Sequence, residues 1–357
     1  MREATAQRAF PAASTAVTHQ DRLVALKAFG QFVYEADLAA LPVSRSLRQG
    51  ADVAVTPSTL FDLASVTKVV ATTTMAMILY ERGLLELDAP VACVVPEFRS
   101  SSDPRRDTVT FRMLLAHSSG LPAYEKLFLK ARPRDDLLHA AFITPLIADP
   151  GSRAEYSDIG FIVLGVALER LAEEPLDRFC QREILGPLAM THTTFNPPAE
   201  MRPRIPPTVD DRTFRKRIIQ GEVQDENAFV LAGVAGHAGL FSTVEDVARF
   251  AHAMLSGGRP ILRPATVALF TRRESAPVGT SRALGWDTPS APSQSGKYFG
   301  ASSFGHLGYT GTSLWIDPER QLSITLLTNR TWPDCSNQAI KQVRPRFHDA
   351  VVEALDR

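Results

Sequence analysis

The chain has 357 residues, 45% hydrophobic and 22% charged, enough apolar material for a large core in one compact unit or two interleaved lobes. Lys plus Arg and Asp plus Glu both number 39, so no summed field draws polyanions and nucleic acid is excluded as an expected partner. No stretch is long and apolar enough to span a bilayer, and Met1 to Gln20 lacks a basic start followed by an apolar run, which predicts a cytoplasmic protein without a membrane span.

Residues 12 to 36 carry short β-branched and aromatic runs, Val24-Ala25-Leu26 and Phe32-Val33-Tyr34 around Gly30. They predict antiparallel strands turning at Gln20-Asp21. From Ser65 the pattern becomes helical. Val66, Val69, Val70, Met77, Ile78 and Leu79 leave almost no polar face, so this helix is expected to be buried, with Gly83 as its C-cap. From about Leu84 to Gly236 further helical segments, including Ile159 to Leu171, alternate with loops such as Asp149-Pro150-Gly151. Cys93, Cys180 and Cys335 are far apart and odd in number, fitting buried thiols in a reducing compartment, and they show no metal-ligand spacing.

Ser242 and Glu245 form a capping-box pattern before Val247, Phe250 and Met254. The Pro-rich segment Ala276 to Ser295 reads as a surface loop. Strands return at Ser313 to Asp317 and Leu322 to Leu327 around Asp317-Pro318-Glu319, and a last helix closes the chain. Strands at both ends and helices between them predict a sheet completed by the two termini, with an inserted helical lobe and a cleft between.

Three short motifs carry chemistry. Leu63-Ala64-Ser65-Val66-Thr67-Lys68 contains the sole Ser-x-x-Lys of the chain, and three residues along a helix is one face, so the Lys68 amine can reach the Ser65 hydroxyl. Serine is a poor nucleophile until a neighbour takes its proton, and a lysine does so once desolvation lowers its pKa. The simpler reading is a helix-capping serine and a lysine that snorkels to solvent. Tyr156-Ser157-Asp158 precedes the helix near Ile159. A phenol there can serve as general base where ammonium groups depress its pKa; otherwise it is a half-buried tyrosine beside a Ser157 or Asp158 cap. Gly305-His306-Leu307-Gly308-Tyr309-Thr310-Gly311-Thr312 leads into the strand at Ser313, with glycines that let another backbone or a ligand approach, or that form a bulge.

In this order and approximate separation, Ser65-x-x-Lys68, Tyr156-x-Asp158 and His306-x-Gly308 resemble the three motifs of class C β-lactamases and D,D-peptidases. The likeness is stronger to family VIII carboxylesterases. Phe61-Asp62-Leu63-Ala64, Leu114 to Leu121 and Gly233 to Ser242 resemble the same superfamily. The resemblance implies an α+β fold of the β-lactamase/transpeptidase type, an antiparallel sheet flanked by helices plus an inserted, mainly helical lobe. It implies one catalytic unit over 1–357, with a sheet lobe from about 1–62 and 237–357 and a helical lobe from about 63–236. It further implies Ser65 as nucleophile, Lys68 as its base partner, Tyr156 as proton shuttle, His306 at the strand position usually filled by Lys, and the backbone N–H groups of Ser65 and Tyr309 as oxyanion hole.

Asp158 stands where class C enzymes carry Asn, and it can pair with Lys68 as a structural anion. His306-Leu307-Gly308 replaces Lys-Thr-Gly and loses a permanent cation, which counts against anionic substrates. His117, His237 and Asp62 are expected to be structural, and Asp225-Glu226-Asn227 a capping loop at the cleft. Trp286, Trp315 and Phe304 are expected in the core or at an acyl pocket. The expected function is a carboxylesterase-type serine hydrolase of small or medium acyl esters, without cofactor or metal. The alternatives are hydrolysis of a β-lactam or D-amino-acid peptide, and a non-catalytic binding protein. Absence of Gly-x-Ser-x-Gly argues against an α/β-hydrolase nucleophile elbow.

Overall fold

The computed structural model describes residues 1–40 and 54–357. Its ten strands are β1 (Ala12–His19), β2 (Arg22–Gly30), β3 (Phe61–Asp62), β4 (Thr194–Phe195), β5 (Pro207–Asp211), β6 (Arg217–Gln220), β7 (Leu240–Ser242), β8 (Phe304–Leu307), β9 (Ser313–Asp317) and β10 (Leu322–Thr328). The main sheet runs β2-β1-β10-β9-β8, every pair antiparallel. β1 therefore lies beside β10, Ala13 opposite Thr328 and His19 opposite Leu322.

The hairpin turn at Gln20-Asp21 has φ of 49° and 61°, the left-handed geometry that matches the twist of two joined strands. Phe32-Val33-Tyr34 is not a strand. β2 stops at Gly30, whose φ is 78° and whose missing Cβ leaves room for the Pro11 carbonyl, so the backbone turns away there.

Alternation along the central strands puts an apolar surface on each face of the sheet. Ala16, Leu314, Ile316 and Leu327 face the core shared with the Val244–Leu255 helix. Val17, Trp315, Leu322 and Ile324 face the C-terminal helix Ile340–Leu355 through Val352 and Phe347. The N-cap of the Val244–Leu255 helix is Thr243, whose hydroxyl accepts from the Asp246 N–H, one residue beyond the predicted Ser242. Ser242 is taken by β7, where it pairs with Phe61.

Between β3 and β7 the chain is mainly helical. Its central piece, Asp158–Ala172, is buried along Ile159 to Leu164 and capped by Ser157, whose hydroxyl accepts from the Gly160 N–H at 2.9 Å. The chain from Ala64 winds first as one 3₁₀ turn (Ala64–Val66), then as a π-wound stretch (Lys68–Thr73), then as regular α-helix (Thr74–Glu81) before Gly83. The segment from Ala276 to Ser295 is not wholly surface: Ala283, Leu284 and Trp286 are fully buried. No helix of the described residues is long and apolar enough to cross a membrane.

Candidate active site

β3 ends in a turn that sets Ser65. Asp62 Oδ1 accepts from the Ala64 N–H at 2.8 Å and its Oδ2 from the Gln224 N–H at 2.7 Å, and Ala64 is held at a φ of 47°. A non-glycine residue keeps this conformation only where its surroundings fix it. Burial raises the Asp62 carboxyl to about 6 despite these two bonds. The turn delivers the Ser65 hydroxyl to a cavity of about 700 Å³.

Lys68 is completely buried, so it does not snorkel. Its Nζ donates to Ser65 Oγ at 3.1 Å, to Asp158 Oδ1 at 2.6 Å and to the His237 carbonyl at 2.9 Å, which uses all three donors of an ammonium. Burial lowers its pKa, with Asp158 pulling the other way. Tyr156 Oη lies 2.7 Å from Ser65 Oγ and 3.1 Å from Asp158 Oδ1. Burial and then the Asp158 charge push the phenol well above its ordinary value. Tyr156 is thus held in its protonated form, chiefly by burial, and is not a phenolate depressed by ammonium groups.

His117 builds the Tyr156 loop. Its Nδ1 accepts from the Ser157 N–H at 3.0 Å and its ring lies 4.7 Å from the Tyr156 ring. His237 Nε2 bonds Asp225 Oδ1 at 2.8 Å, and Asp225 also caps the Ala228 N–H, fixing the carbonyl that Lys68 uses. Both histidines are buried, in the structural roles expected of them, and the Asp225 loop lines the cavity.

Opposite stands β8, the edge strand. His306 is 3% exposed, its Nδ1 is 2.8 Å from the Leu307 carbonyl, and its Nε2 has no partner among the described residues. Burial, then the charges of Lys68 and Arg282, lower His306 to about 3, so the ring is neutral at working pH. Gly308 begins the next turn with its N–H on the Thr312 carbonyl at 2.7 Å. A Cβ there would lie 2.5 Å from the Leu63 carbonyl oxygen, so only glycine lets this turn rest against the Ser65 turn. The Tyr309 N–H has no acceptor among the described residues.

The structure thus brings Ser65, Lys68, Tyr156, Asp158, His306, Gly308 and Tyr309 together around one cavity. Trp286, Trp315 and Phe304 belong to the core and do not line it. Sequence reasoning missed three arginines that do: Arg282, Arg330 and Arg344. The Arg282 guanidinium sits 5.6 Å from the Tyr156 ring and, among the described residues, its one carboxylate partner is Asp287, at 3.7 Å. Nothing in the local sequence marks it, since it lies in the Pro-rich segment taken for surface loop. Positive charge is therefore present in the cavity despite the neutral His306.

Comparison with known proteins shows the family of the chain. The profile of the family described as Beta-lactamase matches residues 1–343. The chain is 32% identical over 353 residues to a putative D-alanyl-D-alanine carboxypeptidase of Escherichia coli strain K12, covering 90% of this chain and 79% of that protein. It is 32% identical over 355 residues to an N-acetylmuramyl-L-alanine amidase of Bacillus subtilis strain 168, covering 90% and 77%. Among solved structures, EstCE1, a hydrolase with promiscuous acyltransferase activity, superposes with a TM-score of 0.75 at 22% identity over 97% of this chain and 96% of that one, a likeness of fold. The chain belongs to the Beta-lactamase family and is a serine hydrolase of that superfamily.

Proposed function

We propose that Ser65 is the nucleophile of an acyl-enzyme mechanism acting on small or medium carboxylic esters. The observation that carries this reading is the double contact of Ser65 Oγ, with Lys68 Nζ at 3.1 Å and Tyr156 Oη at 2.7 Å. Lys68, Asp158 and Tyr156 form one proton-handling unit. Written as ammonium and carboxylate, its vacant proton position is on Asp158, reached from Ser65 through Tyr156. Written as amine and carboxylic acid, the vacancy is on Lys68, which touches Ser65 directly. Both forms carry the same number of protons, so the unit has one vacancy and two routes to it.

As Ser65 Oγ bonds to the carbonyl carbon, its proton enters that vacancy. The oxyanion is held by the backbone N–H groups of Ser65 and Tyr309, donors fixed before the charge develops. On collapse the bond to the leaving group breaks, and that group takes a proton from Tyr156, which is kept protonated by burial and by Asp158. Water repeats the sequence on the acyl-enzyme and frees the acid. Acylation without deacylation by water would give transfer to an alcohol by the same residues.

A second reading, an amide of a D-amino-acid peptide or a muramyl peptide, is favoured by the printed names of the 32% identical relatives. We read the whole chain as one catalytic unit. Cys180 is buried and Cys335 partly so, whereas Cys93 is exposed and not the buried thiol expected of it; that all three are free supports a reducing, cytoplasmic setting. The test is hydrolysis of p-nitrophenyl acetate and of a chromogenic cephalosporin by the wild type and by Ser65→Ala. Ester turnover falling at least about 1,000-fold in a variant that still folds is the expected result. Wild-type turnover in Ser65→Ala would remove Ser65 from the mechanism, and a preference for the cephalosporin would move the substrate class to β-lactams.

A further inference from the structure

One buried carboxylate, that of Asp62, holds together segments far apart in the chain. Asp62 is 2% exposed and forms no ion pair among the described residues. Its Oδ1 serves the Ala64 N–H on the nucleophile's own turn, and its Oδ2 serves the Gln224 N–H, 162 positions on, in the loop that carries Asp225. Burying a carboxylate without a cation is costly, and a serine or asparagine would satisfy the Ala64 N–H alone at less cost. A carboxylate differs in accepting on both oxygens, so the charge is kept for the second bond.

The main chain of the same residue is held as well. The Asp62 carbonyl accepts from the Thr310 hydroxyl at 2.8 Å, and the Leu63 carbonyl accepts from the Thr312 hydroxyl at 2.8 Å. Ala64 directly precedes Ser65 and Thr310 directly follows Tyr309, so two of the bonds to Asp62 end one residue from a backbone N–H of the oxyanion hole. The third reaches Lys68 indirectly. Gln224 leads into Asp225, which holds His237, whose carbonyl receives the Lys68 ammonium.

We propose that Asp62 is a positioning residue for the oxyanion hole: its carboxylate and its carbonyl together fix the separation of the Ser65 and Tyr309 N–H groups. The proposal rests on the reading that Ser65 acylates in this cavity. Asp62 does not line the cavity, so it acts through Ala64, Gln224 and Thr310. Without the Oδ1 bond, Ala64 relaxes from its φ of 47° to a negative value and turns the Ser65 N–H away from the developing oxyanion.

Asp62→Asn tests this, because it keeps the side chain's shape and one acceptor but turns an N–H donor toward an N–H. With p-nitrophenyl acetate its kcat is expected to fall about 100-fold, the scale of one oxyanion donor, with KM within about threefold of wild type. Phenylboronic acid, which bonds to a nucleophilic serine as a tetrahedral anion, reads the hole directly, and its Ki is expected to rise by a similar factor. Asp246→Ala is the stability control: it takes a buried carboxylate outside the cavity from the His192 N–H at 2.8 Å and the Thr193 hydroxyl at 2.9 Å. It is expected to lower Tm while kcat and Ki stay within about threefold of wild type. If Asp62→Asn does not fold, Thr310→Val removes the carbonyl bond alone, and about a tenfold change in the same two quantities is expected. Wild-type kcat and Ki in the folded variant, or an equal fall in kcat in Asp246→Ala, overturns the proposal. A wild type inert toward the ester that still binds the boronate, with weaker binding in Asp62→Asn, overturns the ester reading and keeps the positioning role.

Discussion

Lys68 and Asp158 are 2.6 Å apart, and this contact decides which proton the enzyme must lose before it can act. In the shared-vacancy scheme the active form holds one proton fewer than the fully protonated pair. Asp158→Asn leaves an amide that cannot supply the vacancy, so it must be made by deprotonating the Lys68 ammonium. The acid limb of kcat/KM against pH is therefore expected to move to higher pH in Asp158→Asn. A limb that moves to lower pH would show that Asp158 stays ionised throughout and that Lys68 alone is the base. Much of this was legible in the sequence, because helical spacing alone puts Ser65 and Lys68 on one face. The state of Tyr156 was not legible, since it depends on how deeply the phenol is buried and which charge lies nearest. The arginines were invisible for a different reason. Among 39 Lys and Arg, only the folded structure shows which ones line the cavity.

At the level of elements, the site is two turns pressed together, one leaving β3 and one leaving β8. Their contact passes through Gly308, where a Cβ would meet Thr312 Oγ1 and the Leu63 carbonyl. Gly308→Ala is expected to force the Tyr309 turn away from Ser65, lowering kcat/KM about 100-fold or more, the scale of losing an oxyanion donor, and destabilising the fold by about 1–3 kcal/mol. Kinetics and denaturant unfolding of the one variant give both numbers, and an alanine tolerated in both would mean the turns need not touch. Sequence periodicity found β9, β10 and the Asp158–Ala172 helix, where long apolar patterns agree with the fold. It missed the end of β2 at Gly30, because that is set by close approach of a distant backbone. It also misplaced one cap, since Ser242 satisfies two local patterns and the strand wins.

Across the whole molecule, buried neutral histidines set the response to acid. His306 and His348 are both lowered to about 3 by burial, the first also by Lys68 and Arg282, the second by Arg344. A group whose folded pKa lies below its unfolded value contributes stability above the unfolded value, near 6.5, and loses it as pH falls toward 3. By pH 5 each costs about 2 kcal/mol. Asp62 works in the opposite sense: raised to about 6, it adds stability as pH falls through that value, returning about 1 kcal/mol at pH 5. The balance is destabilising, so Tm is expected to be several degrees lower at pH 5 than at pH 7; an unchanged or higher Tm would contradict it. Fold class was legible from strands at both ends of the chain and helices between, which leave few ways to bury both.

That same arrangement puts a clock on biosynthesis. The Thr15 hydroxyl bonds to the Thr325 carbonyl, 310 positions later, so the first hairpin leaves the ribosome roughly half a minute before its partner strand exists, at about 10 residues per second. During that wait β1 has one unpaired edge, a template for any other strand it meets. A nascent chain of this protein is expected to need shielding at its beginning until its end has been made.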